Sequence, residues 1–167
     1  MLLSENLSLQ YIPSSVITSL TSIRLLDLGG TSIKSLPDSF GALKHLVYLR
    51  LAKESIGKLP YSITCLKKLE VLDLSECYQM SELPYELDKM TSLIYLDLSF
   101  CLQLKCMPCG ISALTSLQYL KMERCWKAWQ PRPQPRKILR IAMGGRARFQ
   151  DLHTLKQLKW LALEGWQ

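Results

Sequence analysis

The sequence predicts an α/β solenoid: stacked short units that curve into a horseshoe, with a parallel β-sheet on the concave face and short helical or 3₁₀ turns on the convex face. Two observations predict it. The phrase "LDLSECYQMSELP" at residues 72–84 returns as "LDLSFCLQLKCMP" at residues 96–108. The pattern L-x-x-L-x-L recurs at Ile23/Leu26/Leu28, Leu46/Leu49/Leu51, Leu69/Leu72/Leu74, Leu93/Leu96/Leu98, Leu117/Leu120/Met122 and Leu158/Leu161/Leu163. A period of this size marks an array whose units cannot bury their apolar faces alone.

Each part of the unit has a physical reason. Leu28, Leu51, Leu74, Leu98 and Met122 follow one another at 23, 23, 24 and 24 residues, and Leu163 comes 41 later. The L-x-L core reads as a short strand whose alternate residues point inward. Three positions beyond its last leucine stand Thr31, Cys77, Cys101 and Cys125, with Glu54 as the exception. A small donor there turns inward and bonds the loop backbone of the neighbouring unit. The hydrophobic-Pro pairs Ile12-Pro13, Leu36-Pro37, Leu59-Pro60, Leu83-Pro84 and Met107-Pro108 end whatever element precedes them. In "PYSITCLKKLEVL", Ile63, Leu66 and Leu69 fall three apart, which suits a 3₁₀ or helical turn with one apolar face.

The pattern makes residues 1–167 a single domain of about six to seven units. The first unit would place its strand at residues 1–3 and Asn6 in the Cys77 position, so the chain reads as truncated at both ends.

These units resemble leucine-rich repeats over nearly the whole chain. Within that class, "LDLSEC" and "LDLSFC" with "ELP" and "CMP" are similar to the repeats of plant intracellular nucleotide-binding disease-resistance receptors. The L-x-G-x-[IL]-P phrase of plant receptor kinases is not found. Plant Ras-group leucine-rich repeat proteins share the 23-residue period and the L-P-x-x-[IL] turn. The resemblance to the resistance receptors implies a cytoplasmic ligand-sensing and autoinhibitory portion, whose partners are a pathogen effector or the receptor's own nucleotide-binding domain. The nucleotide site and signalling domain would lie outside this chain. A Ras-group-like scaffold joining signalling proteins is the alternative.

The net charge of +7 is local. Residues 126–150 hold seven basic side chains and no acidic one, and the rest of the chain balances at 14 of each. That segment reads either as an extended Pro/Arg-rich loop or as a degenerate repeat with a strand at Leu139 and Ile141. Nucleic-acid binding is not expected, because the sheet face supplies acids as well as bases. No apolar run approaches the roughly 18 residues of a membrane helix, and no membrane association is expected.

The cysteine column reads as structural, in a reducing compartment. Cys106-Met-Pro-Cys109 could be a redox pair or half of a zinc site, but no second C-x-x-C exists and His45 and His153 fall in other units. Asn6-Leu7-Ser8 fits the glycosylation sequon. There is no Gly-rich phosphate loop, no paired His at metal spacing and no G-x-S-x-G, so no enzyme, metal or cofactor is expected.

What remains is a surface. The non-leucine strand positions line up as columns: Leu25, Tyr48, Val71, Tyr95, Tyr119 and Trp160, then Asp27, Arg50, Asp73, Asp97, Lys121 and Ala162, and beyond the strand Gly30, Lys53, Glu76, Phe100, Arg124 and Gly165. Tyr, Phe, Trp and Arg together have the composition of binding hot spots. The candidate protein-binding residues are therefore Tyr48, Arg50, Lys53, Asp73, Glu76, Tyr95, Asp97, Phe100, Tyr119, Lys121, Arg124 and Trp160. The competing reading is that aromatic residues pack well on any sheet surface and that Asp-Arg neighbours only offset one another.

Overall fold

The computed structural model describes residues 5–6, 8–105, 111 and 113–125, and the backbone of 160–162. Its strands form one parallel sheet in chain order: β1 (Leu25–Asp27), β2 (Tyr48–Arg50), β3 (Val71–Asp73), β4 (Tyr95–Asp97), β5 (Tyr119–Lys121) and β6 (Trp160–Ala162). The central residue of each strand from β1 to β5 points into the core, and its neighbours point to the concave face. Leu26, Leu49, Leu72, Leu96 and Leu120 are accordingly buried. So are Leu28, Leu51, Leu74, Leu98 and Met122, two residues further on. The leucine pattern thus does what its period implies, filling one continuous core across the stack.

Register follows the repeat. Leu25, Tyr48, Val71, Tyr95, Tyr119 and Trp160 stand opposite one another, as do Asp27, Arg50, Asp73, Asp97, Lys121 and Ala162. β5 pairs directly with β6, so the sheet has no rung between them. Residues 126–150 themselves, the strand expected at 1–3, Met107-Pro108 and the Cys106/Cys109 pair lie outside the described residues.

The convex side is built from α1 (Ser14–Ser19) and from 3₁₀ turns at Asp38–Ala42, Tyr61–Cys65 and Leu87–Lys89. Pro13, Pro37 and Pro60 precede the first three with φ of −60°, −73° and −65°, the value a proline ring imposes. Ile17, Phe40, Ile63 and Leu87 turn inward from these elements and close the core from behind.

Behind the sheet, the inward column ties successive units. The thiols of Cys77, Cys101 and Cys125 donate to the carbonyls of Leu51, Leu74 and Leu98 at 3.0, 3.3 and 2.8 Å. Cys77, Cys101 and Cys125 are free, as is Cys65. Glu54, the exception in the sequence, is buried in the same column and bonds in the opposite sense. Its Oε1 accepts the Thr31 N–H and hydroxyl at 2.6 and 2.9 Å, and its Oε2 accepts the Ile33 N–H at 2.8 Å.

The sheet ladder also runs on past the strands. The N–H groups of Glu5, Gly30, Lys53, Glu76 and Phe100 donate to the carbonyls of Gly29, Ala52, Ser75, Ser99 and Glu123 at 2.7–2.8 Å. Each donor sits in the left-handed region, with φ of 61°, 71°, 65°, 58° and 63°, and Arg124 continues the series at 56°. For a residue with a Cβ this conformation costs on the order of 1 kcal/mol or more. The repeat therefore imposes one unfavourable backbone geometry at the same position in each unit whose residues there are described.

Candidate protein-binding face

On the concave side, three columns lie next to one another, and the structure gives each a different character. The aromatic column comes from the first residue of each strand. Tyr48, Tyr95 and Tyr119 are half-buried, and the Tyr95 and Tyr119 rings stand 6.3 Å apart at 39°. Burial pushes the Tyr48 phenol up, with the Asp27 and Asp73 carboxylates adding to the effect and Arg50 opposing it. Burial also pushes up the Tyr95 phenol, followed by the charge of Asp97 and a hydrogen bond to it. Both are neutral hydroxyls at physiological pH. Trp160 shares their register, and its side chain lies outside the described residues.

The charged column is employed largely in holding the sheet's own turns. Oδ1 of Asp27, Asp73 and Asp97 accepts the N–H two residues on, from Gly29, Ser75 and Ser99, at 2.9 Å each. This is the Asx-turn habit of a short carboxylate side chain, and it accounts for the Asp in "LDLS". The Arg50 guanidinium lies between two of these aspartates, 3.3 Å from Asp27 and 3.4 Å from Asp73. It also covers Gly29, where a Cβ would come within 2.6 Å of Nη1. Lys121 stands 4.0 Å from Asp97 and 5.7 Å from the Tyr95 ring centroid.

Asp97 is where the expectation of an outward-facing charge fails. It is only 7% exposed, and the Tyr95 hydroxyl donates to its Oδ2 at 3.0 Å. Spacing carries no sign of this. Strand alternation places Asp97 on the concave side but does not say that the hydroxyl two positions back will bond to its carboxylate.

The third column is the left-handed one. Lys53 and Arg124 are exposed, and Glu76 and Phe100 are half-buried. The Arg124 guanidinium lies 5.6 Å from the Phe100 ring centroid, and the Tyr78 hydroxyl donates to Glu76 Oε2 at 2.8 Å. Of the candidates, then, Tyr48, Tyr95, Tyr119, Lys53, Glu76, Phe100, Lys121 and Arg124 share an accessible surface. Arg50 and Asp73 take part chiefly in internal pairing.

Sequence reasoning passed over an aromatic pair on the convex side. The exposed rings of Tyr61 and Tyr85 stand 6.0 Å apart, and the Tyr61 hydroxyl contacts both Glu86 and Lys89. The signal available was the aromatic residue directly after Pro60 and Pro84.

Parallel strands in strict register, inward leucines and 3₁₀ turns behind them define a repeat solenoid that presents a sheet face. A family model described as a leucine-rich repeat region matches residues 39–164. The chain belongs to the leucine-rich repeat family. It is similar to the Arabidopsis thaliana disease resistance protein RFL1, 47% identical over 75 residues, which is 42% of this chain. It is also similar to a second Arabidopsis thaliana protein named for disease resistance, At5g05400, 44% identical over 72 residues and 43% of this chain. The matches span 8% of the length of each of these relatives.

Among solved structures, the Arabidopsis receptor kinase HAESA, in complex with the peptide hormone IDA and the co-receptor SERK1, matches with a TM-score of 0.60 and 29% identity, covering 68% of this chain and 20% of that one. The leucine-rich repeat domain of the type III effector XopL matches at 0.57 and 26% identity, covering 71% of this chain and 50% of that one. No helix among the described residues is long and apolar enough to cross a membrane.

Proposed function

We propose that this chain is a protein-recognition module, the ligand-sensing and autoinhibitory leucine-rich repeat portion of a plant intracellular immune receptor. The observation that carries the reading is the register column of Tyr48, Tyr95 and Tyr119 beside Phe100 and Arg124 on one sheet face. Half-buried tyrosines give contact area with little rotamer entropy to lose. HAESA, with the same fold, is described with a peptide hormone and a co-receptor, which supports protein ligands as the partner class. The two relatives named for disease resistance support the immune role. In such a receptor, this portion would recognise a pathogen protein and help hold the nucleotide-binding domain inactive.

Two measurements test the reading. The full-length transcript should encode a nucleotide-binding domain next to this segment, and its absence would remove the receptor role. A protein captured from plant extract by the wild-type chain should be lost by the Tyr48→Ala/Tyr119→Ala variant while its circular dichroism is unchanged. Undiminished capture would take the concave face out of the binding site.

A further inference from the structure

Four of the seven tyrosines stand in ring pairs among the described residues, and the two pairs differ in their surroundings. Tyr95 and Tyr119, on the concave face, are half-buried, and burial followed by the charge of Asp97 holds the Tyr95 phenol protonated. Tyr61 and Tyr85, on the convex side, stand 6.0 Å apart at 31° and are 45% and 72% exposed. They belong to successive units, 24 residues apart, each directly after its unit's proline, Pro60 or Pro84. Core packing does not account for them, since the residues that turn inward from these two 3₁₀ turns are Ile63, Thr64 and Leu87.

One carboxylate serves both phenols. The Tyr61 hydroxyl donates to Glu86, while Lys89 pairs with Glu86 and donates to the Tyr61 oxygen at 2.7 Å. The charge of Glu86 pushes the Tyr85 phenol up, with slight desolvation and a hydrogen bond to the same carboxylate adding to it. Hydrogen bonds from Lys89 and then Tyr61 hold Glu86 below the usual carboxylate range, so it is ionised at neutral pH and able to accept a proton. That matters for oxidation. A phenol gives up an electron readily only when its proton leaves as well, and a carboxylate already bonded to the hydroxyl takes that proton directly. Exposed side chains change rotamer in picoseconds to nanoseconds, so the edges of the two rings meet often.

We propose that Tyr61 and Tyr85 form an oxidative cross-linking site, at which hydrogen peroxide acting through a one-electron oxidant joins the two rings. Each phenol gives one electron to the oxidant and its hydroxyl proton to Glu86, which passes it to water. The two phenoxyl radicals form one carbon–carbon bond between ring positions ortho to the oxygens. The hydrogen on each of those carbons then moves to oxygen as a proton, and both rings regain aromaticity. Two electrons and two protons have left the protein, and with them the peroxide becomes two molecules of water. Adjacency favours a link within the chain, because each ring meets its neighbour at an effective concentration that a second molecule in dilute solution does not reach. The product ties one unit to the next across the convex side, independently of the concave face and its recognition role.

The full chain, in dilute solution, is treated with hydrogen peroxide and a haem peroxidase, and the monomer is isolated. Its tryptic digest should contain the Tyr61 and Tyr85 peptides joined with the loss of two hydrogen atoms. The peptide that holds Tyr85 also holds Tyr78, and two variants separate them: Tyr78→Phe should keep the link and Tyr85→Phe should abolish it. Glu86→Gln keeps both rings but removes the proton acceptor, and linking should slow severalfold. The linked monomer should melt higher than the unlinked one by roughly 5 °C or more, because the bond closes a loop in the unfolded chain. A link that survives Tyr85→Phe, a link at Tyr95 and Tyr119 instead, or coupling only between molecules would overturn the site. An unchanged rate in Glu86→Gln would overturn the part given to its carboxylate, and an unchanged melting temperature would overturn the tie between units.

Discussion

The Glu54 carboxylate takes up both hydrogen-bond donors of Thr31, its N–H at 2.6 Å and its hydroxyl at 2.9 Å, one unit earlier in the stack. With the Ile33 N–H on its other oxygen, it satisfies three donors that a thiol at this position could not accept. Glu54→Gln keeps one acceptor but turns an amide N–H₂ toward a donor, and it should cost about 1–3 kcal/mol in denaturant unfolding. A loss within experimental error would mean that those donors find other partners.

The same carboxyl supplies a pH dependence. Burial raises its pKa above the ordinary 4.5, against the opposing hydrogen bonds from Thr31 and Ile33. A folded-state pKa above the unfolded value favours the folded state at low pH, and that contribution is lost as pH rises through the folded pKa. The stability gap between wild type and Glu54→Gln should therefore be widest below pH 4.5 and narrow as the pH is raised toward neutrality. A gap that widens with pH would show that the hydrogen bonds outweigh burial.

Leu72 lies at the middle of β3, fully buried, with Leu49 and Leu96 on either side in register. Leu72→Ala leaves a cavity between two units that cannot close without moving the sheet, and the expected loss is about 2–5 kcal/mol. Thermal unfolding measures it. A melting temperature that hardly moved would place this leucine outside the core.

Tyr95 and Tyr119 occupy equivalent positions in register, yet a hydrogen bond to Asp97 sets Tyr95 apart. The Tyr95 hydroxyl donates to Asp97, which is buried and has the Ser99 N–H as its other close donor. Tyr95→Phe should cost about 1 kcal/mol. Tyr119→Phe should cost less, and the difference between the two variants in urea unfolding is the reading to take. Equal losses would mean that the Tyr95 hydroxyl does not support Asp97.

How much of this was legible in the sequence depends on which interaction sets each feature. Leu26, Leu49, Leu72 and Leu96 could be placed from period alone, since a hydrophobic position repeated every 23 or 24 residues has one way to be buried in a stack. The columns of Tyr48, Tyr95 and Tyr119 followed from the same register. The left-handed backbone at Lys53, Glu76, Phe100 and Arg124 could not be read, because none of these residue types announces positive φ and Gly30 looked incidental. The bond on Asp97 depends on where the Tyr95 hydroxyl lies, and the pairing of Glu54 on donors of Thr31 and Ile33 one unit away. Neither leaves a trace in spacing.

The cysteine column gives the last prediction. Burial pushes the Cys77 thiol up to about 12 and the Cys125 thiol to about 11, and it raises Cys101 as well. Alkylation requires the thiolate, so at pH 8 these three should stay unmodified in the folded chain and react only after unfolding. Cys65, partly exposed in the 3₁₀ turn Tyr61–Cys65, should react in the native state. Pulsed alkylation followed by peptide mass spectrometry distinguishes the four sites. If Cys77 and Cys101 were labelled as fast as Cys65, the thiols would not be donating to the Leu51 and Leu74 carbonyls, and the contact between units would have to be drawn differently.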